Sequence, residues 1–167
     1  MSMLFPPDNF HLSAAVGWVE LGNPVEALAE LEKIAARYRD EFVVLEVEWV
    51  IRAEQKDWDA GLDIARRMVR AASEKASGWL HQAYALRRVK EGGLKAAWES
   101  LLPAYEKFPN EPIIAYNLAC YACQMGNTDE CRDWLQRALK LLGKAEFKKL
   151  ALNDPDLKAL WDEIRDL

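Results

Sequence analysis

Residues 112–143 read PIIAYNLACYACQMGNTDECRDWLQRALKLLG. On both sides of Gly126-Asn127, apolar residues recur at steps of three and four, and no alternation with a period of two persists. Steps of three and four are typical of helices that bury one face, and a Gly-Asn pair is typical of a tight turn. The stretch therefore predicts two helices that fold back on each other as a hairpin.

The turn of this hairpin recurs along the chain at a nearly constant interval. Comparable turns are centred on Gly22, Lys56, Gly92 and Gly126, at steps of 34, 36 and 34 residues. A period of this length indicates an array of stacked supersecondary units. We expect an array over residues 8–145, in four units at 8–41, 42–77, 78–111 and 112–145.

Helix start signals accompany the turns. Asn23, Pro24 and Glu26 predict an N-cap, a proline at the first helical position and a capping-box partner. Asn127 and Glu130 predict a second capping box. Further candidate N-caps are Asp8, Asp57, Ser77, Asn110 and Asp154.

Small residues recur at equivalent positions of the units, where they allow two helices to approach closely. They are Ala15, Ala27 and Ile34 in the first unit, Ala85, Ala97 and Ala104 in the third, and Ala119, Cys131 and Ala138 in the fourth. The pattern resembles the tetratricopeptide repeat and is similar to small stand-alone bacterial proteins of that class. The resemblance implies an all-α fold, a right-handed superhelical solenoid of αα-hairpins.

The second unit departs from this pattern. Its three positions hold Trp49, Gly61 and Met68, so that a large side chain stands where the other units have a small one. We interpret this as volume compensation, in which the Trp49 ring takes the space that Gly61 leaves empty. The interpretation predicts that these two residues are neighbours.

The two ends of the chain lie outside the repeats. Residues 1–7 form an apolar arm, extended by Pro6 and Pro7, that is expected to fold into its own groove or into a neighbour's. Residues 146–167 are expected to form capping helices, because the last unit of a solenoid otherwise exposes its apolar face. Their apolar stripe consists of Leu157, Leu160, Trp161 and Ile164.

Composition narrows the class of protein. The formal net charge of -5 argues against general binding to nucleic acid or to an anionic membrane. No targeting segment or membrane-spanning stretch is recognisable, and three cysteines do not make a disulfide framework. The cytoplasm is the expected compartment.

The sequence predicts no catalytic residue, metal site or cofactor. Cys120 and Cys123 form a CxxC, but they lie within a predicted helix rather than after a strand. His11 and His81 are far apart and are expected to serve surface or packing roles. The acidic residues 153–156 lack the ligand spacing of a calcium loop and are interpreted as a helix cap.

The resemblance implies a ligand groove on the concave surface formed by the first helix of each unit. The groove candidates are Leu12, Ser13, Val16, Glu46, Val47, Val50, Glu54, Trp79, Gln82, Ala83, Leu86, Tyr116, Asn117, Cys120 and Gln124. Chaperone-binding members of the family grip a C-terminal carboxylate with Lys, Arg and Asn, and only Asn117 matches that set. Two alternatives stand for Trp79 and Tyr116, which either anchor a partner or pack between helices.

These residues predict an apolar, aromatic and slightly acidic groove, in which Glu46 and Glu54 favour a partner with basic residues. The predicted function is a non-catalytic adaptor that binds a peptide or protein segment. One alternative is a self-associating module that forms a homodimer. A more distant alternative is a redox protein that uses Cys120 and Cys123.

Overall fold

The computed structural model describes residues 4–167, which form helices joined by short turns and no strand. The predicted all-α class is therefore confirmed. The helices are α1 Asp8–Glu20, α2 Pro24–Lys33, α3 Phe42–Glu54, α4 Trp58–Ala71, α5 Ala76–Leu86, α6 Leu94–Lys107, α7 Pro112–Gln124, α8 Thr128–Leu142, α9 Lys144–Ala151 and α10 Trp161–Asp166, with 3₁₀ helices at Ala36–Tyr38 and Pro155–Leu160.

The chain divides into two compact units, Met1–Ala85 and Leu86–Leu167, which differ from the four predicted repeats. From here on, the first unit and the second unit are these two parts of the structure. In the first unit, α1 packs against α2 and α3, and α3 packs against α4. In the second unit, α7 packs against α6 and α8, and the C-terminal 3₁₀ helix lies on α7. Helix α9 packs against α8, and α10 packs against α9 and against the C-terminal 3₁₀ helix.

The positions at which the repeat pattern places small residues are all buried. This holds for the alanines and also for the larger residues of the second predicted unit, among which Trp49 is 9% exposed and Met68 is fully buried. The buried set is Ala15, Ala27, Ile34, Trp49, Gly61, Met68, Ala85, Ala97, Ala104, Ala119, Cys131 and Ala138. The inference that these positions carry the helix packing is confirmed.

Trp49 and Gly61 are neighbours, as predicted. A Cβ atom built on Gly61 would have Nε1 of Trp49 as its nearest neighbour, at 3.9 Å. The indole also packs against α5, where it stacks on His81 and meets Tyr84 edge-on. The packing role predicted for His81 is thereby confirmed.

Three of the predicted caps are confirmed. The side chain of Asn23 accepts a hydrogen bond from the Glu26 amide at 3.3 Å, at the start of α2. Asp57 accepts one from the Ala60 amide at 3.3 Å. Asp154 likewise caps the C-terminal 3₁₀ helix.

Asn127 occupies the predicted N-cap position of α8, but its side chain makes no capping hydrogen bond. The three remaining predicted caps, Asp8, Ser77 and Asn110, are wrong. Ser77 lies inside α5. The N-cap of α7 is Glu111 rather than Asn110, because the Glu111 side chain accepts a hydrogen bond from the Ile113 amide. Asp8 lies inside α1, is only 5% exposed, and accepts from the Ala35 amide at 2.7 Å. Its carboxylate therefore fastens α1 to the segment after α2 instead of capping a helix.

The ends of the chain are described in part. Residues 1–3 of the arm lie outside the described residues, whereas Leu4 packs against the core of the first unit. At the other end, Leu157, Leu160 and Ile164 of the predicted apolar stripe are buried, whereas Trp161 is partly buried.

Candidate functional site

A groove lies between α1 and α3 in the first unit. Its lining consists of Val16, Val19, Glu20, Glu46, Val47 and Val50, around a cavity of about 160 Å³. The structure thus brings together four residues that the repeat alignment assigns to the concave surface, namely Val16, Glu46, Val47 and Val50. We refer to this feature as the α1–α3 groove.

The α1–α3 groove combines an aliphatic floor with acidic edges. Four of its six lining residues are valines, and the other two are Glu20 and Glu46. Glu46 is partly buried and accepts a hydrogen bond from the Ser77 hydroxyl at 3.4 Å, which holds the carboxylate in place. Such a surface suits an aliphatic side chain that has a positive charge beside it.

Val19 and Glu20 belong to the groove but are not among the residues predicted from the sequence. Both follow Val16 at helical steps of three and four, so they lie on the same side of α1. That spacing is the signal that would have identified them.

Other predicted groove residues of the first unit lie elsewhere. Glu54 is exposed at the last position of α3. Trp79 is partly buried and donates from Nε1 to the Ser73 carbonyl at 3.1 Å, which ties α5 to the turn before it. Gln82 is also partly buried in α5. The structure does not place these three residues in the lining of the α1–α3 groove.

The predicted site residues of the second unit are covered by the chain's own C-terminal segment. Tyr116 and Cys120 are only 7% and 3% exposed. The Tyr116 hydroxyl donates to Oδ2 of Asp154 at 2.9 Å, and the Cys120 sulfur lies 3.5 Å from the same oxygen. Of the two alternatives for Tyr116, the contacts match packing within the fold: donors on α7 hold the acidic tail, and neither residue is accessible while the tail is in place.

Arg87 and Gln124 complete this contact. The Arg87 guanidinium pairs with both carboxylate oxygens of Asp156, with Nη2 2.8 Å from Oδ1. Gln124 donates from Nε2 to the Asp156 carbonyl at 2.8 Å. Leu86, which precedes Arg87, and Asn117 of α7 are partly buried. Arg87 was missed by sequence reasoning, which assigned only its neighbour Leu86 to the groove.

Burial favours the neutral forms of Tyr116 and Cys120 on α7 and of Cys131 on α8. Burial raises the pKa of the Cys120 thiol and of the Tyr116 hydroxyl well above their usual ranges, and Asp154 adds to both effects. Burial and the nearby Cys123 raise the pKa of Cys131 to about 12. Because the thiolate is the reactive form of cysteine, these surroundings disfavour redox and nucleophilic chemistry at Cys120.

Cys120, Asp154 and Asp156 place three potential metal-ligand atoms within 4.8 Å of one another. The two carboxylates already have partners, since Asp156 pairs with Arg87 and Asp154 accepts from Tyr116 and from the Asp156 amide. A cation would have to displace the guanidinium and meet a protonated thiol. The cluster therefore fits an ion pair and a helix cap, and it does not fit a metal centre.

Among residues 4–167, no helix combines the length and the apolar character needed to cross a membrane.

Comparison with known proteins supports the fold. No family model and no curated protein matches the chain. The solved structure named MamA MSR-1 C2, from a magnetosome protein that contains tetratricopeptide repeats, is similar to it with a TM-score of 0.64 at 14% identity, over 95% of each chain. At this identity the likeness shows the fold alone, which is an all-α array of the tetratricopeptide type.

Proposed function

We propose that this protein is a non-catalytic interaction module, an adaptor that binds a segment of another protein in the α1–α3 groove. The observation that carries the proposal is the lining of that groove, with four valines beside the carboxylates of Glu20 and Glu46. The groove lies on the helices that line the concave ligand surface in the family that the chain resembles. No cofactor or metal takes part in this function.

The chemistry of the α1–α3 groove selects the kind of segment. An aliphatic side chain fits the valine floor, and a neighbouring Lys or Arg meets the two carboxylates. The net charge of -5 and the exposed Glu54 favour the same basic partner over nucleic acid or an anionic membrane. The proposal places this activity in the cytoplasm, where the three thiols stay reduced.

Two other candidates of the first unit extend the proposed surface. Trp79 and Gln82 are partly buried and offer aromatic and polar contacts to a longer segment, whereas Asn117 belongs to the second unit and is a separate candidate. Tyr116 and Cys120 are not part of the proposed surface, because the C-terminal segment of the chain covers them.

Self-association is the alternative that a specific observation favours. Four large apolar residues of the first unit are strongly exposed, namely Phe5, Phe10, Leu21 and Val25. Large exposed apolar residues are candidates for an interaction surface, and a second copy would cover them in a symmetric dimer.

Affinity capture from the native host tests the proposal. We expect proteins retained by the wild-type chain to be lost with Val16→Lys/Val50→Lys, because the new charges fill the floor and repel a basic segment. Val25→Lys is the matched control, since Val25 lies outside the groove. Retention of the same proteins by a folded double variant rejects the groove. A wild-type dimer that Val25→Lys dissociates, measured by light scattering, supports the alternative.

A further inference from the structure

Residues 154–156, Asp-Pro-Asp, lie on α7 in the manner of a bound ligand. The Asp154 carboxylate accepts from the Asp156 amide at 2.9 Å, which closes the segment into a tight turn. Both aspartate side chains then face donors from other parts of the second unit. We call residues 154–156 the acidic turn.

The groups that hold the acidic turn form a compact set. Tyr116, Cys120 and Gln124 are four residues apart on α7 and therefore share one side of that helix. Arg87, directly after α5, supplies the guanidinium that pairs with Asp156. A two-point Arg–carboxylate pair is directional as well as strong, so it selects a carboxylate in one orientation. We call Arg87, Tyr116 and Gln124 the acidic-turn site.

The acidic turn contributes little to closing the apolar core. The apolar residues that follow it do that work, because Leu157 is fully buried and Leu160 and Ile164 are 2% exposed. The ion pair between Arg87 and Asp156 retains about a fifth of its side-chain exposure on each side, and it connects polar groups only. The Arg87–Asp156 pair involves none of these apolar side chains, so we expect its removal to leave them in the core.

We propose that the acidic-turn site is a second binding site, which takes from another protein an acidic turn whose two aspartates are separated by one residue. Residues 154–156 fill the site until such a partner displaces them. The two carboxylates explain the specificity: one meets the guanidinium of Arg87, and the other meets the hydroxyl of Tyr116. This site lies in the second unit, and its partner has the opposite charge to the partner of the α1–α3 groove, so the two proposals are independent.

Competition within the chain sets the expected affinity. A ligand segment joined to its site by a short link has an effective concentration on the order of millimolar, so a free peptide competes poorly with it. Weakening the internal acidic turn should therefore reveal binding that the wild-type chain conceals.

The test uses the whole chain and a fluorescent peptide, LNDPDL, with the sequence of residues 152–157. Binding is followed by fluorescence anisotropy with wild-type protein and with Asp154→Asn/Asp156→Asn, which keeps side-chain size and an acceptor for the cap. We expect saturable binding to the double variant, and binding at least about tenfold weaker to the wild type. Adding Arg87→Ala to the double variant should abolish binding, whereas adding Lys90→Ala at an exposed position should not.

Several results overturn the proposal. They are no saturable binding to a folded double variant, no effect of Arg87→Ala, or equal binding of a peptide with Asn at both aspartates. Asp156→Asn alone, which leaves the Asp154 cap intact, is tested in parallel, and its failure to bind when folded is equally decisive. A wild-type dimer that the double variant converts to monomer assigns the site to a second copy of this chain and overturns the assignment to another protein.

Discussion

The imidazole of His81 lies flat against the indole of Trp49, with ring centroids 3.6 Å apart and planes inclined by 8°. The pair joins α3 to α5 within the first unit. Tyr84 meets the same indole edge-on, and Trp58 meets Tyr84 in turn. Trp49 is thus the centre of an aromatic cluster, at a position that holds alanine in the other three predicted repeats.

The Trp49–His81 stack predicts a pH-dependent stability. Burial lowers the pKa of His81 from 6.5 to about 4, so the imidazole is neutral in the folded protein at pH 7. The unfolded chain binds more protons between these values, so stability is present above pH 6.5 and is lost as the pH falls towards 4. The loss attributable to His81 is on the order of 3 kcal/mol.

Urea denaturation at pH 7 and pH 4.5 measures this loss. His81→Phe keeps an aromatic ring on Trp49 and should reduce the difference between the two pH values. An NMR titration that gives His81 an ordinary pKa would contradict the prediction.

Gly61 predicts opposite effects for a small and a large substitution. A Cβ atom there makes an ordinary contact at 3.9 Å with Trp49, and alanine is the better helix former, so Gly61→Ala should stabilise by about 0.5–1 kcal/mol. Gly61→Leu must displace the indole and should cost about 1–3 kcal/mol. Thermal unfolding of both variants checks the signs, and a neutral Gly61→Leu would show that the indole is loosely packed.

Gly92 is required by a close approach of two backbone segments. A Cβ atom at this position would overlap the Leu86 carbonyl oxygen, and a backbone atom cannot move aside as the end of a flexible side chain does. Gly92→Ala should therefore destabilise the second unit by about 1–3 kcal/mol or more. Gly17→Ala is the matched control, because open space surrounds that position in α1, and it should stabilise by about 0.5–1 kcal/mol. Equal unfolding midpoints for the two variants would contradict this reading.

The buried Asp8 predicts a long-range effect of a single carboxylate. Asp8→Ala leaves the Ala35 amide without its acceptor at 2.7 Å and should cost about 1–3 kcal/mol. Asp8→Asn retains a side-chain oxygen and should cost less than half as much. Urea denaturation ranks the two variants, and an equal loss would mean that charge matters at Asp8 more than the hydrogen bond.

The sequence predicted features that depend on local spacing. The packing positions repeat with the period of the units, and Trp49 and Gly61 could be paired because their sizes depart from that pattern in opposite directions. Contacts between distant segments were not predictable in this way. Asp8 looked like a helix cap, and the partner of Asp156 was missed, because neither sequence neighbourhood shows that Ala35 or Arg87 lies opposite the carboxylate.

Thiol labelling separates the interaction module from the redox alternative. A nucleophilic CxxC has a lowered pKa and reacts faster than a free cysteine, whereas burial raises the pKa of Cys120 and Cys131. We therefore expect iodoacetamide at pH 8 to modify Cys123, which is partly buried, before either of the other two. Tandem mass spectrometry distinguishes the three sites. Asp154→Asn should accelerate labelling at Cys120 alone, because it loosens the segment that covers this sulfur. Fast labelling of Cys120 in the wild-type chain would support the redox alternative instead.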